Sequence, residues 1–252
     1  MSRAGGGVLL ITGGSRGIGA ATAKLAASRG WRVCLSYVRD DSAAKEVVRA
    51  ITGAGGEALA VRADMRREAE IVALFDDAER AFGPVTGLVN NAGITGRIGP
   101  LPEAAPETIR EVVEVNVTGA ILAAREAVLW MSTARGGAGG AIVNISSGAA
   151  SLGSSGEYVH YAASKGAIDT FTLGLAREVA REGIRVNAVA PGLILTDIHA
   201  AGGEPGRAER IAPTVPMGRP GAPEEVAEPI LFLLSPAASY ITGAVLRVAG
   251  GR

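Results

Sequence analysis

Short apolar runs alternate along the chain with longer stretches whose apolar residues recur at helical spacing. Residues 8–11 (Val-Leu-Leu-Ile) form the first run, and residues 18–28 follow as an Ala-rich helix stopped by Gly30. Residues 32–37 return to strand character. Residues 41–50 predict a helix, with Asp40, Asp41 or Ser42 as N-cap and Gly53 ending it. A third strand is expected over 57–61, a third helix over 68–82 before Gly83-Pro84, and a fourth strand finishing at 88–90. Residues 106–134 read as one long helix and residues 135–140 (Arg-Gly-Gly-Ala-Gly-Gly) as a flexible connector. Then come a strand at 141–146, a helix at 158–181 and a strand at 184–190. Residues 192–220 read as irregular, with prolines at 213, 216 and 220. A helix at 223–234, with Pro229 a potential disturbance inside it, and a strand at 244–248 follow.

Strand-helix alternation over this length implies an α/β fold. The expected form is a Rossmann-type, doubly wound parallel sheet of about seven strands with helices on both faces. No linker interrupts it, so residues 1–252 are expected to form a single domain. The Gly/Pro segment at 193–220 is expected to be a substrate lid, since a helix and a strand still follow it.

Composition excludes several function classes. Hydrophobic residues make up 48% of the 252 residues, enough for a core that needs no disulfide staple. The 36 glycines are scattered, which points to tight turns and close packing rather than to a collagenous or disordered chain. Basic and acidic residues balance at 25 each without a basic stripe, so nucleic acid is not an expected partner. Neither a signal peptide nor a membrane span is legible. Cys34 is the single cysteine and sits in an apolar run, so a buried, inert thiol and a reducing, cytoplasmic compartment are expected. With one cysteine and two histidines, His160 and His199, no His/Cys metal cluster is expected.

Three local patterns carry chemistry. Thr12-Gly13-Gly14-Ser15-Arg16-Gly17-Ile18-Gly19 follows a strand and opens a helix. Glycines there let the backbone approach a pyrophosphate, and the helix N-terminus offers donors and positive potential. The alternative is a Gly-rich turn that binds nothing, and the Gly-x-x-x-Gly-x-Gly spacing departs from Gly-x-Gly-x-x-Gly. Tyr161-Ala162-Ala163-Ser164-Lys165 places a phenol and an ammonium on one helical face. The ammonium would lower the phenol pKa from about 10 and make it a general acid or base near neutral pH. Ile145-Ser146-Ser147 ends an apolar strand, where open α/β sheets place their ligand crevice. Taken singly, the last two patterns are equally a surface Tyr/Lys pair and a strand-end serine.

Other motifs join these in a fixed order: Asn90-Asn91-Ala92-Gly93, Asn116, the run from Arg185 to Gly192, and Tyr240-Ile241-Thr242-Gly243 through Gly250-Gly251. In order and spacing the chain resembles the short-chain dehydrogenase/reductase family over essentially its whole length. The resemblance implies hydride transfer between a nicotinamide cofactor and a CH-OH/C=O group. It implies that Tyr161 exchanges the proton with the substrate oxygen, and that Lys165 lowers its pKa and holds the nicotinamide ribose. Ser147 would orient and polarise the carbonyl, and Asn116 would hold a water linking Lys165 to solvent. Ser147 is chosen over Ser146 because it lies 14 residues before Tyr161, a usual family spacing. Tyr158 is set aside because Ala162, not an amine, stands four residues on. Gly13, Ser15, Arg16, Gly17, Ile18, Gly19, Asp64, Met65, Asn91, Gly93, Pro191 and Gly192 would line the cofactor. Asp64 would meet the adenine amino group and Thr196 the nicotinamide carboxamide.

The second strand ends at Tyr37, where an acidic residue would hydrogen-bond a ribose 2′-hydroxyl and repel a 2′-phosphate. Arg16 and Arg39 stand near, and a guanidinium grips phosphate bidentately. NADP(H) is therefore the expected cofactor, with Asp40 and Asp41 as the groups that would oppose a phosphate if they turned inward. His160 is expected on a different helix face from Tyr161, and His199 in the lid. The stretches 153–157 and 193–199 are expected to border a pocket for a small carbonyl or alcohol. Glu182 stands where acyl-carrier reductases often have a basic residue, which speaks against carrier docking. The family resemblance implies a homotetramer, or else a homodimer, with faces such as Ala120, Ala123, Ala124 and Ala127 meeting a second copy. Two other functions compete: a non-catalytic NADP(H) sensor, and a sugar-nucleotide epimerase, whose glycine spacing this chain lacks.

Overall fold

The computed structural model describes residues 6–252. Its strands are β1 (Val8–Ile11), β2 (Arg32–Tyr37), β3 (Glu57–Arg62), β4 (Val85–Asn90), β5 (Gly140–Ile145), β6 (Ile184–Pro191) and β7 (Val245–Val248). They form one sheet in the order β3-β2-β1-β4-β5-β6-β7, with every neighbouring pair parallel. The helices are α1 (Gly17–Ser28), α2 (Asp41–Gly53), α3 (Glu68–Phe82), α4 (Pro106–Val113), α5 (Ala120–Met131), α6 (Ala149–Leu152), α7 (Val159–Val179), α8 (Ile198–Ala201), α9 (Arg207–Ile211) and α10 (Pro223–Leu234). This is the doubly wound, Rossmann-type α/β fold that the alternation implied.

The strand period of two divides the core into two halves. Leu9 and Ile11 of β1 pack with α1, α2 and α10, through Ala23, Val47, Val226 and Ile230. Val8 and Leu10 point the other way, onto α3, α5 and α7, through Leu74, Phe75, Ala127 and Val179. Both faces of β1 are therefore dry, which is why its sequence is continuously apolar instead of alternating. Strand order reverses between β1 and β4, so a crevice opens beyond their carboxyl ends. Cys34 is buried in the second half, where desolvation and then Asp77 push its thiol up to about 12.

Several expectations change in detail. Asp40 is the cap of α2, accepting from the Ala43 N–H at 2.9 Å, and the helix runs on to Gly53. Pro229 lies inside α10 without ending it. The segment expected to be irregular carries α8 and α9. The long helix expected over 106–134 is broken: between α4 and α5 the chain winds as a π-helix over Glu114–Gly119, and it leaves helix at Met131. A wider turn of this kind is common at functional sites. Here it lets Gly119 approach the end of the third strand, for a Cβ on Gly119 would stand 2.4 Å from the Met65 carbonyl oxygen. The alanines expected to meet a second copy instead pack on the chain's own sheet. Ala120, Ala123, Ala124 and Ala127 are all buried, while Ile121 and Leu129 carry the apolar exposure of α5.

Because the Met65 oxygen belongs to the backbone, a methyl at 119 has to move the loop after β3. Gly119→Ala is expected to lower unfolding stability by roughly 1–3 kcal/mol, read as a shift of the urea midpoint at unchanged slope.

Candidate active site

The glycine loop between β1 and α1 is bolted at both sides. The Asn91 Nδ2 donates to the Thr12 and Gly13 carbonyls, each at 2.9 Å, and the Thr12 hydroxyl accepts from the Asn91 and Ala92 N–H groups, each at 3.0 Å. Toward β2, Gly13 and Gly14 donate to the hydroxyl and carbonyl of Ser36. Gly13 has φ +66°, and a Cβ there would stand 3.0 Å from Ala92 Cα; one on Gly19 would stand 2.5 Å from the Gly13 oxygen. No side chain caps α1, so its first N–H groups are free for an anion. Thr196 lies over the loop, its methyl 3.2 Å from where a Gly17 Cβ would be. Ser15, Arg16, Lys24 and Thr196 line a concavity of about 360 Å³ beside it. The cradle fits a dinucleotide diphosphate.

The remaining cofactor candidates divide. Tyr37 ends β2 and donates to Asp41 at 2.7 Å, a bond that raises its phenol pKa. Arg16 and Arg39 are exposed at this corner and form no ion pair among the described residues. Met65 is buried after β3, and Pro191 and Gly192 close β6 beside a small cavity next to Ser147. Ile18 packs against the first half of the core. Asp64 is paired. Its carboxylate is gripped by Arg66, at 2.9 Å from Nε and 2.6 Å from Nη2. That bidentate pair holds its pKa below the usual range.

Ser147, Tyr161 and Lys165 meet at the carboxyl end of β5. Tyr161 and Lys165 are buried on α7, and Ser147 lies just past the strand. The Lys165 Nζ donates to the Ile145 carbonyl at 2.7 Å and stands 5.8 Å from the centre of the Tyr161 ring. A Cβ on Gly93 would lie 3.4 Å from that nitrogen, in ordinary contact with it, and 3.3 Å from the Asn116 Oδ1. Burial dominates both titrations. It pushes Tyr161 up to about 12, against a hydrogen bond from Ser147 that acts downward. It brings Lys165 down to about 8, with Asp169 opposing. The groups that act downward on Tyr161 are Ser147 and Arg207, and desolvation exceeds both.

Asn116 is buried. Its Nδ2 donates to the Ile94 carbonyl at 2.8 Å and to Ser164 at 3.0 Å, and its Oδ1 accepts from the Ile94 N–H at 2.8 Å. The side chain pins the chain after β4 to α7. His160 sits against the Thr95 carbonyl and His199 against the Ile194 carbonyl, both buried, so neither points at Tyr161 as an acid or base.

One cluster escaped the sequence reading. Arg207 of α9 is buried, pairs with Glu157 at 2.5 Å and stacks 5.0 Å from the centre of the Tyr158 ring. Tyr158 in turn meets Tyr161 edge-on at 5.1 Å. Tyr158 lacks an amine four residues on, but receives a guanidinium from α9, and only the tertiary fold brings the two together.

A family model described as enoyl-(acyl carrier protein) reductase matches residues 13–252. Over 245 residues the chain is 52% identical to YgfF, an uncharacterized oxidoreductase of Escherichia coli (strain K12), covering 97% of this chain and 99% of that one. The chain belongs to the short-chain dehydrogenase/reductase family. It is an oxidoreductase of that type, and the family binds a nicotinamide cofactor. Among solved structures, a short-chain dehydrogenase from Burkholderia cenocepacia in complex with NADP superposes with a TM-score of 0.90 at 34% identity, over 99% of both chains. A 3-ketoacyl-(acyl-carrier-protein) reductase from Brucella melitensis complexed with NADH matches equally, with a TM-score of 0.90 at 36% identity over 98% of both. No helix of the described residues is long and apolar enough to cross a membrane.

The depressed Lys165 fixes a sign. Below about pH 8 both folded and unfolded chains carry its proton; between about 8 and its ordinary 10.5 only the unfolded chain does. Stability conferred through this group therefore rises with pH across that window. Urea titrations of the parent against Lys165→Met are expected to show the parent gaining on the variant from pH 8 to 10; a flat difference contradicts it.

Proposed function

We propose that this enzyme interconverts a carbonyl and an alcohol with NADP(H), using Tyr161 as the acid and base. The observation that carries this is the convergence of Ser147, Tyr161 and Lys165 in one buried cluster beside a braced glycine loop. The cofactor supplies or accepts the hydride. Ser147 donates to the carbonyl oxygen and fixes its orientation. Tyr161, neutral at physiological pH, delivers its proton to that oxygen in reduction and takes it back in oxidation. Lys165 stands where its charge favours the phenolate once the proton has left, and Asn116 holds the strand-end segment that shapes its pocket. A sensor without chemistry has no use for an ammonium kept in the interior at a cost in stability.

The choice of NADP(H) follows from charge at the end of β2. Asp41 is turned to Tyr37 and Lys45, and Asp40 is occupied in capping α2. Neither carboxylate is free to oppose a 2′-phosphate, while Arg16 and Arg39 are free to hold one. We read residues 1–252 as one cytoplasmic domain with a lid at 193–220. Its base is stitched by hydrogen bonds between Leu193, Leu195 and Gly221. Exposed apolar side chains at Ile121, Leu129 and Leu173, and again at Phe232, Val245 and Leu246, support a homotetramer.

Tyr161→Phe is expected to abolish turnover, by at least about a thousandfold in kcat, with cofactor affinity kept. The assay is absorbance at 340 nm against ketones, aldehydes and alcohols; full activity in the variant would sink the mechanism. Arg16→Ala with Arg39→Ala is expected to raise KM for NADPH about tenfold or more and to leave KM for NADH within twofold. A parent enzyme that prefers NADH would refute the cofactor assignment.

A further inference from the structure

A small cavity adjoins Ser147 on the side away from the glycine loop. Its walls include Leu152, Tyr158 and Leu193, together with three arginines, Arg207, Arg247 and Arg252. No acidic side chain lines it. The three guanidiniums reach it from separate parts of the chain: the lid, strand β7 and the segment beyond it.

The three differ in what satisfies them. Arg207 is neutralised by Glu157, which stands behind the wall, and keeps one buried nitrogen, Nε, without a hydrogen-bond partner. Arg247 is opposite Ala190 in the β6–β7 register, and its Nη2 lies 3.5 Å from where a Cβ on Gly148 would stand. Its side chain and that of Arg252 make no ion pair and no hydrogen bond among the described residues. Arg247 is exposed and Arg252 half-buried, so each guanidinium keeps its donors open to an anion that enters the cavity from solvent. The planar fork of a guanidinium matches a carboxylate bidentately.

We propose that the substrate is a small oxo acid and the product its hydroxy acid. The carbonyl lies against Ser147 and Tyr161, and the carboxylate is held by Arg247 and Arg252. This rests on the carbonyl/alcohol reading above and adds the substrate class to it. Hydride and the Tyr161 proton reach the carbonyl carbon and oxygen respectively; the carboxylate is unchanged and serves to position the molecule. Arg207 holds Tyr158 in the wall and is a positioning residue.

The test compares matched pairs: 4-oxopentanoate with its methyl ester, and 4-oxocyclohexanecarboxylate with its methyl ester, all with NADPH. The acid is expected to exceed its ester at least tenfold in kcat/KM, mostly through KM. Arg247→Ala with Arg252→Ala is expected to reduce that acid-to-ester ratio at least tenfold, and Arg247→Lys to restore part of it. Equal turnover of acid and ester in the parent overturns the proposal. So does an unchanged ratio in the double variant, or a tenfold preference for dihydroxyacetone phosphate over both acids. Neutral ketones reacting through Tyr161 while acids gain nothing would leave the general reaction standing and remove only this assignment. Where no test ketone turns over, calorimetry on the NADP-saturated enzyme decides. Pentanoate is expected to bind at least tenfold more tightly than pentanamide, with the difference lost in the double variant; equal binding overturns the proposal.

Discussion

Lys165 keeps its ammonium in the interior, where desolvation of a charge costs several kcal/mol unless fixed dipoles replace the lost water. The Ile145 carbonyl at 2.7 Å is the replacement, and much of the crevice is arranged to make that bond. The helix α7 has to lie against the end of β5 for Nζ to reach it. Gly93 packs closely beside it, and Asn116 holds the chain after β4 in place at the next residue, Ile94. Asn116 reaches that segment from the π-helical turn Glu114–Gly119. One buried charge thus sets demands on a strand end, a loop and two helices.

The glycine loop obeys a different constraint, close backbone approach. Thr12, Ser36 and Asn91 hydrogen-bond the loop from below and from both sides, and its N–H groups at the start of α1 are left unused. Rigidity and vacancy coexist because the bracing groups engage the loop's Gly13 and Gly14 N–H groups and the Thr12 and Gly13 carbonyls, not the helix terminus. Preorganisation of this kind lowers the ordering cost of binding a flexible dinucleotide.

Substrate chemistry is divided between the end of the sheet and the lid. The helix α7 supplies Tyr161 and Lys165, and the turn just past β5 supplies Ser147. The lid, with its own small core of Leu193, Ile211 and Val215, supplies Arg207 and closes over Tyr158. Charged side chains that line one cavity across this boundary come from segments 40 or more residues apart, as with Arg207 and Arg247.

Strand-helix alternation, the glycine loop and the pairing of Tyr161 with Lys165 were legible in the chain itself. Each depends on spacing within one element or on a turn between neighbours, and local periodicity records such relations directly. Asp40 as one of three cap candidates was legible for the same reason. Tertiary structure alone decided the rest. It broke the 106–134 helix at Asn116, because the wider turn answers to Met65, a residue about 50 positions away. It paired Asp64 with Arg66, turned the alanines of α5 inward, and buried Tyr161 so that desolvation raises its pKa. It also collected Arg207, Arg247 and Arg252 around one cavity. Desolvation and long-range ion pairing depend on which segments become neighbours in space, and no spacing along the chain encodes that.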